Sequence, residues 1–194
     1  MELVSMTGRT ILCRYQLWLA MSFALLVLSV TAKASSPSQS YSAHKIKTVY
    51  VYRLANFIRW PNADPIRYCV LGRDSITITL DKFFASAAVN TKLTKMDDLT
   101  AASEQCEVLY ITEQKLNILQ AIPQYPELLT ISDSPRFLER GGMIELQTHN
   151  KKIKPALSLT HLQRANLSAS SQLLRIAIIH DHQLGNKMSG GSHE

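Results

Sequence analysis

No glycine-rich phosphate loop runs through this chain. Its seven glycines form neither a G-x-G-x-x-G nor a G-K-[ST] arrangement, so nothing offers a backbone cradle for a nucleotide. No serine sits in the G-x-S-x-G elbow that presents a nucleophile between strand and helix. Metal-binding side chains are not grouped either. His180-x-His182 has no third ligand at helical or turn spacing. Basic residues outnumber acidic ones, 21 to 15, but only Lys151-Lys152-x-Lys154 is dense. That cluster falls in a predicted hairpin turn and is a solvated turn rather than a nucleic-acid footprint. No internal repeat is visible. The longest apolar run, Leu17–Val30, is short of the ~20 residues that span a bilayer.

That run has the form of a targeting segment instead. Arg9 and Arg14 precede it, and Ala32-Lys33-Ala34 follows as a small-x-small cleavage site. Residues 1–34 therefore read as a cleaved signal peptide and not as an uncleaved anchor. Residues 35–42, rich in serine, read as a flexible leader, 43–180 as one domain, and 181–194 as a disordered tail. Loss of Arg9, Arg14, Lys33 and Glu2 takes the net charge from +6 to +4.

Cysteine is scarce. Cys13 leaves with the signal, and Cys69 and Cys106 remain. Each lies in an apolar run, RYCVLG and QCEVLYI, that reads as a core strand. Two neighbouring strands bring such side chains within disulfide reach when their Cβ atoms face each other. Two buried free thiols are the alternative. An exported domain of this size favours the bridge.

Strand and helix patterns alternate along the domain. Ile46, Val49, Tyr50, Leu54, Phe57 and Ile58 recur at helical spacing and predict a helix over 43–60 with one buried stripe. Strands are predicted at 66–71, 89–96, 106–111 and 128–131, with short helices around 76–84, 97–103 and 113–121. A hairpin is predicted over 143–159, then closing helices at 160–167 and 170–179. The implied fold is α/β: a mainly parallel sheet flanked by helices, with one antiparallel hairpin, in a Rossmann-like three-layer arrangement.

The stretch Leu129–Ile144, LTISDSPRFLERGGMI, organises the rest. A buried strand ends at Ile131. Ser132, Asp133 and Ser134 offer side-chain oxygens, with Ser134 as helix cap and Pro135 in the first turn. Gly141 and Gly142 stop the short helix, one of them at positive φ. The loop lies at the carboxyl end of a strand, where open α/β sheets bind ligands.

This stretch resembles the signature of the YfiR family of periplasmic regulators. KTVYVYRLANFIRWP at 47–61 and LSASSQLLRIA at 167–177 resemble further family segments in the same order. Arg136 stands where the family more often has glycine, and Arg53 where a small or polar residue is common. The resemblance implies a Cys69–Cys106 pair. It also implies a periplasmic repressor of an inner-membrane diguanylate cyclase, bound at the cyclase's sensor domain. An outer-membrane lipoprotein would be a sequestering partner, and a homodimer is left open.

Read for chemistry, the loop serines Ser132 and Ser134 have His44, His149 and His161 as candidate bases, but capping explains them better. Asp97-Asp98 belong to a polar turn, and Asp133 suits a helix N-terminus without a catalytic role. No catalytic, metal or cofactor residue is assigned. The closing segments are more apolar than one buried stripe needs, which makes Leu162, Leu167 and Ile176 candidate partner anchors. Leu173, Leu174 and Ile179 belong to the same apolar set. The alternative reading is a small-ligand-binding or hydrolytic protein that uses the Ser132–Ser134 loop.

Overall fold

The computed structural model describes residues 37–62, 65–86, 91–150 and 152–180. The expected signal peptide at 1–34 and tail at 181–194 lie outside the described residues. The fold lies in the unit that begins at Ser38.

Helix α1 spans Pro37–Leu54, and a 3-10 turn at Ala55–Phe57 leads to strand β1, Ile58–Arg59. There follow β2 (Tyr68–Leu71), α2 (Ser75–Phe84), β3 (Leu93–Met96), α3 (Leu99–Gln105), β4 (Val108–Ile111), α4 (Glu113–Ile118) and β5 (Leu129–Ser132). A 3-10 turn at Leu138–Arg140 precedes the hairpin β6 (Ile144–His149) and β7 (Lys152–Leu157). The chain closes with α5 (Leu159–Arg164), β8 (Ser168–Ala169), α6 (Ser171–Ile176) and β9 (Ile178–Ile179).

Among the described residues the main sheet has seven strands in the order β3-β2-β4-β5-β6-β7-β9. Only the β6–β7 pair is antiparallel. The expected α/β sheet with one hairpin is therefore present. Strands β1 and β8 form a separate antiparallel clip. Alternating side chains split the core in two, as a sheet covered on both faces requires. Tyr68, Val70, Val108 and Tyr110 share one cluster with α1, α2, α5 and α6. Cys69, Leu71, Leu109 and Ile111 share the other with α3, α4 and the 3-10 turn.

Short polar caps start the helices. Asp74 accepts from Thr77 N–H and completes a capping box on α2. Asp98, Thr112, Ser158 and Ser170 cap α3, α4, α5 and α6. Asp98 of the polar pair is thus spent as a cap. Cys69 and Cys106 are bonded, with Cα atoms 6.0 Å apart. The bridge joins β2 to the residue that ends α3.

Predicted boundaries shift in several elements, among them the first helix, the second closing helix and the signature stretch. The first helix begins at Pro37, inside the expected leader, and ends at Leu54, because the chain must extend at Ile58–Arg59 to pair with β8. The second closing helix stops at Ile176, and Ile178–Ile179 become an edge strand beside β7. The short helix of the signature stretch is a single 3-10 turn, three residues later than a cap at Ser134 would place it.

Candidate functional site

Helix α1 satisfies helical spacing twice, and the two stripes have different fates. Thr48, Val51, Leu54, Ala55 and Ile58 are buried against the sheet. Ile46 and Val49, expected in the core, are 46 % and 40 % exposed. With Tyr50, Phe57 and Ile176 of α6 they line an open groove of about 430 Å³. Lys45 and Arg53 line it as well, so the groove is apolar with a basic character. Its far wall is held in place by backbone pairing. β1 pairs with β8, and Ser170 N–H donates to Phe57 O at 2.8 Å.

Of the expected partner anchors, the structure leaves one at the surface. Leu162 and Leu167 are 0 % and 2 % exposed and belong to the core. The closing segments are short and turn repeatedly, so each supplies its own buried face: Leu162 from α5, Leu167 before β8, Leu173 from α6. Ile176 is 54 % exposed, and Leu174 and Ile179 are also exposed.

A polar cluster lies on the buried side of α1, at the carboxyl ends of the parallel strands. Lys47 Nζ donates to Asp133 Oδ2 at 2.7 Å, and Tyr110 OH donates to Asp133 Oδ1 at 2.6 Å. Asp74 Oδ2 is 3.5 Å from the same hydroxyl. Lys47 and Asp133 side chains are only 13 % and 20 % exposed. Burial, and then the charges of Asp133 and Asp74, push the Tyr110 phenol far above its ordinary range, so it stays a donor. At this end of the sheet, where α/β folds often hold ligands, Asp133 is thus engaged by Lys47 from α1 and Tyr110 from β4.

The signature loop is likewise internally satisfied. Ser132 Oγ donates to Ile111 O at 2.7 Å and accepts from Ser134 N–H at 3.1 Å. Ser134 caps no helix; it is buried as part of the turn. Pro135 is exposed, outside any helix. Gly141 has φ 97° and ends the 3-10 turn, as expected for one of the two glycines. Gly142 is required for space: a Cβ there would collide with the Phe137 ring. Beside the loop, Glu113, Asn117, Ser134, Pro135, Arg136 and Arg140 line an open polar recess of about 340 Å³. Arg140 donates to the carbonyls of Leu116 and Leu119 at the end of α4, and Arg136 pairs with Glu139.

The histidines go elsewhere. His44 Nε2 meets Ser75 Oγ at 3.3 Å, and His161 Nδ1 meets Gly142 O at 2.8 Å. His149 is exposed at the end of β6. No hydrogen bond joins Ser132 or Ser134 to a histidine among the described residues. The sequence did not flag the Lys47–Tyr110–Asp133 cluster, since its members lie in α1, β4 and the loop after β5. The one available signal was a lysine inside an apolar helical pattern.

The described residues thus form an α/β sheet covered on both faces, whose first helix holds a polar cluster on one side and lines an open apolar groove on the other, a shape suited to binding. The YfiR/HmsC-like family matches residues 44–178, most of the chain, and the protein belongs to that family. Its members are periplasmic regulators of cyclic di-GMP signalling, regulatory rather than catalytic. No curated protein matches the chain. No helix among the described residues is long and apolar enough to cross a membrane.

Proposed function

We propose that this protein acts in the periplasm, after cleavage near Ser35, by binding the sensor part of an inner-membrane diguanylate cyclase and holding it inactive. The observation that carries the reading is the groove between α1 and α6. Three large aliphatic side chains, Ile46, Val49 and Ile176, stay exposed around one concavity. An apolar centre with polar surroundings is the anatomy of a protein interface. Repression requires that this surface bind the cyclase's inactive state more tightly than its active one. Release of the repressor would then raise cyclic di-GMP and favour biofilm over motility. An outer-membrane lipoprotein competing for the repressor, and a homodimer, fit the same scheme.

The protein has no turnover of its own in this account. The serines that a hydrolytic reading would use hydrogen-bond to the backbone of their own fold. Capture of the tagged protein from solubilised envelope, with the partners identified by mass spectrometry, tests the reading. A diguanylate cyclase should be recovered, and deletion of the gene should raise cyclic di-GMP. Unchanged cyclic di-GMP together with an accumulating periplasmic metabolite would replace this reading with a ligand-binding or enzymatic one.

A further inference from the structure

The groove and the Lys47–Tyr110–Asp133 cluster sit on opposite sides of one helix. Ile46 and Val49 flank Lys47 and Thr48 in sequence. The first pair faces the groove; Lys47 reaches the loop after β5, and Thr48 is buried. The far end of α1 is fixed by main-chain pairing through β1 and β8. For the middle turns of α1, around Lys47, no comparable main-chain tie is seen among the described residues. Polar side-chain ties in this stretch include Lys47 to Asp133, His44 to Ser75, and Tyr50 OH to Ile153 O. Asp133 in turn is held by Tyr110, a strand residue of the sheet centre that is fully buried. An ion pair with a rigid hydroxyl behind it fixes position better than an exposed pair of long side chains does.

We propose that Lys47 and Asp133 are positioning residues. Their clasp, backed by Tyr110, sets the middle turns of α1 on the sheet and so sets the width of the groove. The signature loop thereby acts on the partner surface through α1 and needs no ligand of its own. This deepens the repressor reading and rests on it for the identity of the occupant. The geometric claim can be tested without that occupant.

The test uses Asp133→Asn and Lys47→Met, singly and together, in the purified protein. 1-Anilinonaphthalene-8-sulfonate, an apolar anion, serves as the groove probe, and Ile176→Glu confirms its site by abolishing binding. Hydrogen exchange is followed separately for α1 and β4. Gly141→Ala is the stability control, since its strain falls on Ile122 across the sheet from α1. Each single clasp variant should speed exchange of α1 amides about tenfold or more, with β4 unchanged. Each should weaken probe binding several-fold, and the double variant should be no worse than the worse single one, as expected for one shared interaction. Gly141→Ala should lower the melting temperature and leave probe binding alone. Unchanged α1 exchange in both single variants would overturn the clasp. So would a loss of probe binding in Gly141→Ala equal to that in Asp133→Asn, which would make the effect one of stability only. If the clasp variants behave as expected while Ile176→Glu leaves cyclic di-GMP unchanged in cells, the repressor reading fails and the clasp stands.

Discussion

Gly141 carries the strictest requirement of any single residue in the signature loop. Its φ of 97° lies where L side chains are strained, and a Cβ would also collide with Ile122 O. Gly141→Val should therefore cost more than about 2 kcal/mol, read as a fall in the denaturation midpoint at unchanged slope. Arg136 shows the opposite choice: it holds φ 62° with a side chain present. The resemblance gave glycine as the common residue there, and the backbone supplies the reason. Buried tyrosines set a second residue-level expectation. Burial raises both Tyr110 and Tyr68 above the ordinary value of 10.0. Above that pH the unfolded chain loses protons that the folded chain keeps. Stability should thus be intact below pH 10 and fall above it, by about 1.4 kcal/mol per pH unit for each group. Denaturation curves at several alkaline pH values, with Tyr110→Phe as control, check the slope.

Elements were legible where one pattern had one explanation. The strands around Cys69 and Cys106 are short apolar runs, and both the strands and their bridge are present. Cys106 lies just before β4 rather than inside it, and still reaches Cys69. The bridge closes a separation of 37 residues. On the loop-entropy account Cys106→Ser should cost roughly 3–4 kcal/mol, seen as a lower melting temperature. Peptide mapping of the native protein should find the two cysteines linked. Helix α1 differs from expectation because two stripes fit the same spacing. Leu54 belongs to both, and the choice between Ile46/Val49 and Thr48/Val51 as the buried set depends on what covers the helix. The last predicted helix failed for a related reason. Ile178 and Ile179 continue a helical pattern, but the open edge of β7 takes them as a strand.

At the scale of the whole molecule, the α/β class was readable from alternating patterns, because parallel strands need helical crossovers. The site was only half readable. The signature loop could be named, but its role could not, since its main partner, Lys47, is 86 residues away in sequence. Apolarity alone points to Leu162 and Leu167 as anchors, and the wrapping of the closing segments buries both in the core. Ile176 remains, now joined by Ile46 and Val49, 130 and 127 residues earlier in the chain. The central claim is that this composite groove is the surface through which the protein represses its cyclase. Affinity of Ile176→Glu for the captured sensor domain, measured beside its melting temperature, tests that claim most directly. The account predicts binding weakened by about 2 kcal/mol or more, a melting temperature like that of the parent protein, and raised cyclic di-GMP at normal protein level. Full-strength binding by the folded variant would contradict it.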